Sequence, residues 1–372
     1  MAKHIGILTA GSDAPGLNAA IRGIGKAAQS YGMQVTGFHD GFVGLVKDQS
    51  TPIESSALSG ILTSGGTFLG TSREMPNQVV SSGKTKDMTA AAVATYQRHK
   101  LDALVCLGGD ETQQMAHLLS QHGLNIISLP KAIDNDIAET DTTIGFDTAV
   151  GVAAEAIDRL HSTAHSSHRI IIVEIMGHDT GWLALGAGIA GGADVILIPE
   201  IPYDVEKIAA AILERNQKGK RFSLIAVSEG AMSKENVNFF ANARKMNARL
   251  RTGDAKASVE ERLEYIESRF TGNTLLLANR LEALTQLDAR ITILGYLLRG
   301  GTPNAHDRML ATQLGTAAID LVKAGRFGFM VGVHGRDIVP VPLDRVSGQH
   351  KTIPLDHPWL ASARQVGTSL GD

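Results

Sequence analysis

Two apolar runs, each followed by a polar loop, constrain the fold of this chain more than any other feature. The first run, residues 101–107, ends in the loop GGDET (108–112); the second, residues 125–129, ends in PKAIDND (130–136). A helical pattern lies between them, so the two runs are predicted to be parallel strands with both loops at one sheet edge, where open α/β sheets bind ligands. One loop offers backbone N–H groups to a phosphate, and the other offers carboxylates to a metal or an acceptor hydroxyl.

The same alternation of strand and helix patterns extends along most of the chain. Residues 4–9 form an apolar run that ends in AGSDAPG (10–16) and precedes a helical pattern, and further βα units follow from about residue 147 to residue 228. The first loop is neither a dinucleotide fingerprint nor a Walker A loop, so phosphate binding and a plain βα turn both remain open. The rhythm breaks in a charged stretch at about 232–269, which we interpret as a surface helical insertion. Beyond residue 340 the pattern is weak.

The composition is that of an ordinary globular enzyme. The chain has 372 residues, enough for two domains, and a net charge of -3 that gives no reason to expect nucleic acid or an anionic membrane as partner. Its one cysteine, Cys106, lies in an apolar run and is expected to be a buried, unreactive side chain. No signal peptide is recognised, and the longest apolar tract, 183–199, contains Asp194. A cytoplasmic location is therefore expected.

Eight loops together resemble the A family of phosphofructokinases. In chain order they are GSDAPGLNAAIRG, GGTFLGTSR, LGGDET, PKAIDNDI, TIGFDTA, SHRIIIVEIMG, IAGGADVILIPE and ILGYLLRGGTP. The resemblance covers roughly residues 5–321 and implies an α/β fold of two Rossmann-like, three-layer domains with mostly parallel sheets and the active site in the cleft between them. It assigns residues 1–145 with about 299–345 to a phosphoryl-donor domain. Residues 146–298 with the tail form the sugar-phosphate domain.

The resemblance implies transfer of a phosphoryl group to the 1-hydroxyl of fructose 6-phosphate, a glycolytic reaction that requires Mg²⁺. Asp134 matches the position of the catalytic base. Asp110 and Asp136 are placed to hold Mg²⁺ directly or through water, since Mg²⁺ prefers few carboxylates and retained waters. Gly11 lies in the first phosphate loop, and Arg73 is expected to clamp the donor phosphates.

The sugar site is implied by residues from the second half of the chain. Glu229 is expected to accept hydrogen bonds from the sugar hydroxyls, and Tyr296 with Arg299 to hold the sugar phosphate. The motif that ends in Met176 and Gly177, together with the following His178, is expected to contact substrate. Arg169 and Arg290 match arginines that reach the sugar phosphate across a subunit interface, which implies a dimer or tetramer.

Two positions bear on the phosphoryl donor. Relatives that use ATP usually have glycine where this chain has Glu111 and Lys131. A carboxylate next to the nucleotide's α-phosphate is unfavourable, whereas a lysine ammonium pairs with the terminal oxygens of pyrophosphate. The sequence therefore favours a reversible, pyrophosphate-dependent 6-phosphofructokinase, with Lys131 in the catalytic set. ATP remains the alternative donor.

Three further departures from the family pattern leave the rate and the acceptor open. Ser12 replaces a glycine, Ala132 replaces a threonine that hydrogen-bonds the moving phosphoryl group, and His178 replaces an arginine. Loss of one transition-state donor slows turnover by about 10². A slower enzyme, another sugar phosphate as acceptor and a non-catalytic sugar-phosphate-binding homologue are the remaining interpretations. Effector control, for which Asp194 and two cations of the first helix are candidates, is undecided.

Overall fold

The computed structural model describes residues 3–81, 84–248 and 273–372. The strands are β1 His4–Thr9, β2 Gln34–Phe38, β3 Ser50–Pro52, β4 Val79–Ser81, β5 Lys84–Lys86, β6 Ala103–Gly108, β7 Ile126–Pro130, β8 Ile170–Ile175, β9 Val195–Leu197, β10 Ser223–Ser228, β11 Ala289–Ile293, β12 Phe329–His334 and β13 Asp337–Pro342. The α-helices are α1 Leu17–Ser30, α2 Phe42–Lys47, α3 Thr89–Arg98, α4 Asp110–Gln121, α5 Phe146–Ser167, α6 Trp182–Ala190, α7 Val205–Gln217, α8 Lys234–Ala248, α9 Asn273–Thr285, α10 Ala305–Lys323, α11 Leu343–Val346 and α12 Pro358–Gln365.

The larger sheet has seven strands within the described ranges, in the order β13-β12-β7-β6-β1-β2-β3. Its five central strands pair in parallel, while β3 and β13 pair antiparallel at the two edges. β6 and β7 are buried along their whole length, as expected for parallel strands covered on both faces. Cys106 lies in β6 and is fully buried, and burial raises the pKa of its thiol.

The smaller sheet, as far as the structure describes it, has four parallel strands in the order β11-β8-β10-β9. The chain divides into two compact units, residues 1–149 with 299–351 and residues 150–298 with 352–372, and each unit contains one of the two large sheets. The prediction of an α/β fold with mostly parallel sheets is confirmed. None of the described helices combines the length and the apolar character needed to cross a membrane.

Several elements differ from the sequence-based expectation. The weakly patterned stretch after residue 340 contains the end of β13 and the helices α11 and α12. β13 was hard to recognise because it contains Pro340 and Pro342, and prolines are tolerated there because β13 is an edge strand. The charged insertion predicted at 232–269 begins with α8, and its part from residue 249 onward lies outside the described residues.

Helices α1 and α10 cross at two glycines in the first unit. A Cβ atom added at Gly315 would lie 2.9 Å from the carbonyl oxygen of Ala20 and 2.9 Å from the amide nitrogen of Ile24. A Cβ atom at Gly23 would lie 3.2 Å from the Cα atom of Thr312. The two backbones therefore approach each other too closely for any side chain, and this contact holds α10 against the helix that follows the first loop.

We predict that Gly315→Ala lowers the free energy of unfolding by about 1–3 kcal/mol, because the added methyl group meets rigid backbone atoms. The measurement is chemical denaturation followed by circular dichroism. Gly151→Ala is the matched control, since Gly151 is also helical but a Cβ atom there meets nothing within 4 Å. The control is expected to be neutral or slightly stabilising. Equal destabilisation of both variants would contradict the prediction.

Candidate active site

The parallel register of three neighbouring strands brings the three predicted donor loops of the first unit to one edge. Thr9 of β1 lies beside Leu107 of β6, and Leu107 lies beside Leu129 of β7. The loops that contain Gly11, Asp110 and Lys131 therefore leave the sheet at the same level, as the sequence predicts. A backbone hydrogen bond of 3.1 Å from the Lys131 amide to the Gly108 carbonyl continues the pairing of β6 and β7 past their ends.

Three cations surround the first loop, residues 10–16. The Lys131 Nζ atom donates to the carbonyl oxygen of Ser12, and the Arg73 guanidinium donates to the Ser12 hydroxyl at 2.8 Å. Arg299 donates to the Asp13 carbonyl at 3.5 Å. Gly11 has a φ of +82°, and a Cβ atom there would lie 3.4 Å from Lys131 Nζ. Arg73, Lys131 and Arg299 thus form one positive group around the loop that contains Gly11, which suits a phosphate chain.

Lys131 is buried with 3% of its surface exposed, so its charge is poorly solvated. Burial, together with the positive charge of Arg299, lowers the pKa of its ammonium to about 8. The carboxylates of Asp13, Asp136 and Asp134 oppose this shift. The chain thus holds an ammonium whose charge a bound phosphate would stabilise. Asp13 had no predicted role, although its position in the GSDAPG loop pointed to this neighbourhood.

Asp110 begins α4 and fits a magnesium ligand. Its Oδ2 atom accepts a hydrogen bond of 2.7 Å from the Gln114 amide and lies 3.6 Å from His350 Nε2. Its Oδ1 atom is buried and has no hydrogen-bond partner among the described residues. A buried carboxylate oxygen of this kind is suited to a cation. No group of three or more His, Cys, Asp or Glu side chains in the described ranges could hold a metal ion, and Mg²⁺ requires fewer protein carboxylates than that.

In the turn at residues 132–136, buried residues alternate with partly exposed ones, and both acidic side chains are at partly exposed positions. Asp134 and Asp136 are half-buried, while Ile133 and Asn135 between and beside them are buried. Asn135 has a φ of +53°, a left-handed conformation that asparagine tolerates better than most residues. The carbonyl of Ala132 accepts hydrogen bonds from the Thr143 hydroxyl and, at 3.4 Å, from the Asn135 amide. The methyl side chain of Ala132 offers no donor to a phosphoryl group.

Asp307 positions the segment that follows this turn and was not predicted from the sequence. Its fully buried carboxylate accepts hydrogen bonds from the amides of Gly145, at 2.9 Å, and Thr148, at 2.8 Å, and from the Thr148 hydroxyl. Burial raises its pKa, and these hydrogen bonds oppose that shift. Asp307 lies in the first turn of α10 and therefore looks in the sequence like an ordinary N-terminal carboxylate. Its distant partners could not be seen in the pattern.

A pocket of about 640 Å³ lies in the first unit beside Arg73 and Glu111. Apolar side chains of Met75, Met115 and Leu118 line it together with polar side chains. Its size is within the usual range for small-molecule sites, and a mixed apolar and amide lining suits a flat heteroaromatic ring. Glu111 is exposed and lies in the first turn of α4, where the helix dipole favours a carboxylate.

In the second unit, the predicted sugar-site residues lie at the carboxyl edge of the smaller sheet. Met176, Gly177 and His178 follow β8, and Glu229 follows the adjacent β10. The Gly177 amide donates to Glu229 Oε1 at 3.3 Å, and the Gly230 amide donates to the Gly177 carbonyl at 3.1 Å. A Cβ atom at Gly230 would lie 1.8 Å from the His178 carbonyl oxygen, so the close approach of the two loops requires glycine.

Of the other predicted residues of this unit, Tyr296 lies at the same carboxyl edge, and two arginines lie at the opposite edge. Tyr296 follows β11 and is 79% exposed. Arg169 and Arg290 lie at the amino edge of the same sheet and converge on one carboxylate. The Arg169 Nε atom is 3.5 Å from Asp288 Oδ2, and the Arg290 Nη2 atom is 3.6 Å from the same oxygen. The structure therefore brings these two arginines together, apart from Gly177 and Glu229.

Asp194, a candidate effector residue, has a structural role in the described residues. Its carboxylate pairs with Arg215 at 2.7 Å and accepts a hydrogen bond of 2.9 Å from the Leu224 amide. Among the two cations of α1, Lys26 donates to the Ser55 hydroxyl at 2.9 Å. These contacts account for Asp194 and Lys26 without a ligand.

The family model for phosphofructokinase matches residues 4–322. The chain belongs to the phosphofructokinase family. It is 52% identical to the ATP-dependent 6-phosphofructokinase of Propionibacterium freudenreichii subsp. shermanii, over 100% of both chains, and 46% identical to that of Spirochaeta thermophila, over 100% of this chain and 98% of the relative.

The fold is also that of solved members of the family. The pyrophosphate-dependent phosphofructokinase from Marinobacter aquaeolei superposes with a TM-score of 0.77 at 20% identity, covering 99% of this chain and 88% of the other. The predicted membership of the phosphofructokinase family is therefore confirmed. The residues at positions 111 and 131 predict pyrophosphate as donor, whereas the similar relatives named above are ATP-dependent.

The lowered pKa of Lys131 generates a prediction for a phosphofructokinase of this type. We expect kcat/KM for the phosphoryl donor to fall as pH rises through about 8, because Lys131 then loses the charge that attracts phosphate. The measurement is the pH dependence of initial rates at low donor concentration. Lys131→Met should be slower at pH 7 and should lack this alkaline step. If the alkaline step persists unchanged in Lys131→Met, it belongs to another titrating group and the prediction is wrong.

Proposed function

We propose that the chain is an ATP-dependent 6-phosphofructokinase, which transfers the terminal phosphoryl group of ATP to the 1-hydroxyl of fructose 6-phosphate. The observation that supports this proposal most directly is the positive loop 10–16 beside a pocket large enough for a nucleoside. The names of the relatives with 52% and 46% identity support the same donor.

In this proposal Asp134 is the catalytic base. The 1-hydroxyl oxygen forms a bond to the terminal phosphorus, the bond from that phosphorus to the bridging oxygen breaks, and ADP leaves. The hydroxyl proton goes to the carboxylate of Asp134, which is half-buried and so remains accessible to a substrate. Lys131 and Arg73 bind the donor phosphates and stabilise the charge that develops on them.

Asp110 and Asp136 would hold Mg²⁺, which supplies positive charge to the donor phosphates when it is bound. The buried Oδ1 atom of Asp110, which has no hydrogen-bond partner in the described part of the chain, supports this assignment. For the acceptor, Glu229 accepts hydrogen bonds from sugar hydroxyls, and Tyr296 and Arg299 hold the sugar phosphate. The loop that contains Met176, Gly177 and His178 completes the sugar site.

The pocket beside Arg73 favours ATP over pyrophosphate because pyrophosphate has no group to fill it. Met75, Met115 and Leu118 offer an apolar surface to an adenine ring, and the amides around them offer hydrogen bonds. The pocket includes both Arg73 and Glu111, so a nucleotide that fills it would direct its phosphates toward the positive loop.

Pyrophosphate is the second candidate donor, and Lys131 is the observation that favours it. Its buried ammonium lies beside the first loop, where it suits the terminal oxygens of a compact dianion or trianion. Glu111 on the pocket wall opposes an α-phosphate by charge.

Initial rates with fructose 6-phosphate, Mg²⁺ and either ATP or pyrophosphate decide between the donors. We expect faster turnover with ATP. Leu118→Trp, which fills the pocket, should raise the KM for ATP about tenfold or more, equivalent to about 1.4 kcal/mol, and leave the KM for fructose 6-phosphate unchanged. Ser120→Trp on the same helix, outside the pocket lining, is the control. Faster turnover with pyrophosphate, unaffected by Leu118→Trp, would establish the second candidate instead.

We also propose that the chain acts as a homo-oligomer in which Arg169 and Arg290 serve a neighbouring subunit. They lie at the amino edge of the smaller sheet, whereas Gly177 and Glu229 lie at its carboxyl edge. A strand of six residues separates these edges by about 17 Å, too far for one sugar phosphate to touch both in a single chain. Two guanidinium groups beside Asp288 are available to bind the phosphate of a substrate held by another subunit.

Complementation tests this shared site. Asp134→Ala and Arg290→Ala are each expected to abolish turnover, the first by removing the base and the second by weakening phosphate binding. Refolded together as a dimer, they should recover about a quarter of the parent activity, because half of the dimers are mixed and each contains one intact site. A mixture of Asp134→Ala with Asp134→Asn is the control without intact sites. Co-assembly without recovery would show that the site belongs to one chain.

A further inference from the structure

The ammonium of Lys351 donates hydrogen bonds to three acceptors in residues 135–141, directly after Asp134. Its Nζ atom donates to Asn135 Oδ1 at 2.9 Å, to the Thr140 carbonyl at 2.7 Å and to the Asp141 carbonyl at 3.1 Å. Asn135 lies between the two catalytic-loop carboxylates in sequence. One side chain therefore holds both ends of the segment 135–141.

The backbone beside Lys351 adds further contacts with the same loops. The Lys351 amide donates to the Asp136 carbonyl at 2.8 Å, and His350 pairs with Ile137 in an isolated antiparallel bridge. The His350 Nε2 atom is 3.6 Å from Asp110 Oδ2. The dipeptide 350–351 thus contacts both the loop that contains Asp110 and the turn that contains Asp134.

We propose that Lys351 is a positioning residue for phosphoryl transfer, which fixes the turn 132–136 through Asn135 so that Asp134 and Asp136 keep their orientation. This inference rests on the proposed function, because it assumes that those two carboxylates act on substrate and metal. The three acceptors given above for its ammonium all belong to the segment 135–141, so the role proposed for Lys351 is exerted through that segment.

Two physical features make the turn dependent on this contact. Asn135 is buried in a left-handed backbone conformation, which asparagine adopts more readily than most residues but which still depends on surrounding contacts. Removal of the ammonium leaves the carbonyls of Thr140 and Asp141 without this charged donor. A displacement of about 1 Å at a catalytic group is enough to cost about 10² in rate.

Lys351→Met removes the ammonium and keeps the length of the side chain. We expect kcat to fall about 10–100-fold while the KM values for fructose 6-phosphate and donor stay within about twofold, because binding groups remain and only the base and metal carboxylates lose their orientation. Lys351→Arg, which keeps the charge and several donors, should recover part of the loss. Lys47→Met, at an exposed lysine of the same unit, is the control.

Two measurements separate positioning from general destabilisation. Hydrogen exchange in Lys351→Met should accelerate at the amides of residues 132–141 and not in β1 or β6. Asn135→Gly keeps the left-handed turn but removes the side-chain acceptor, so its effect on kcat should be less than additive with Lys351→Met. Full additivity, or unchanged exchange in the segment, would overturn the proposal.

The activity of the parent enzyme separates failure of the proposed function from failure of the positioning role of Lys351. A parent without turnover with either donor overturns the proposed function and the catalytic part of this proposal together. An active parent with an unaffected Lys351→Met variant overturns only the positioning role. The exchange measurement tests the contact itself in either case.

Discussion

The parallel register of β1, β6 and β7 is the constraint on which the donor site of this phosphofructokinase depends. Each strand ends in a loop that by itself has no distinctive chemistry: a glycine-rich turn, a helix N-terminus and a short acidic turn. Because Thr9, Leu107 and Leu129 share one level of the sheet, the three loops meet. A slip of one residue in any pair would exchange the side chains that pack on the two faces of the sheet, so the packing of both core layers fixes the register and with it the site.

The site that results concentrates positive charge before any substrate is present. Lys131, Arg73 and Arg299 all contact residues 12–13, and burial keeps the Lys131 ammonium poorly solvated. Such a group is costly in the free protein and gains most from an anion of high charge. The carboxylates of the turn 132–136 limit this cost, which gives them a second effect besides the chemistry proposed for Asp134. The cations around the first loop and the carboxylates of the turn 132–136 therefore stabilise one another.

Much of this arrangement was predictable because it is local in sequence. The strands β1, β6 and β7 follow from apolar runs that end in glycine-rich or acidic loops. The features that escaped prediction involve distant pairs. Asp307 holds Gly145 and Thr148 from more than 150 positions away, and Lys351 reaches Asn135 across a separation of 216 residues. No periodicity encodes such contacts, and a lysine or aspartate with distant partners looks like an ordinary surface residue in the sequence.

The preference between ATP and pyrophosphate depends on two opposing effects: repulsion of an α-phosphate by Glu111 and burial of a nucleotide ring in the neighbouring pocket. Glu111 repels an α-phosphate, but it is exposed, and two unit charges about 4 Å apart interact by only about 1 kcal/mol in water. An aromatic ring that enters the neighbouring pocket buries about 150 Å² or more, which contributes about 4 kcal/mol at about 25 cal/mol per Å². The pocket is a property of the folded first unit, formed by α4 and residues 73–78, and its volume cannot be deduced from the two positions at which ATP-using relatives usually have glycine. In the proposed reaction with ATP, burial of the ring would therefore outweigh the repulsion by Glu111, and Lys131 would bind the phosphates of either donor.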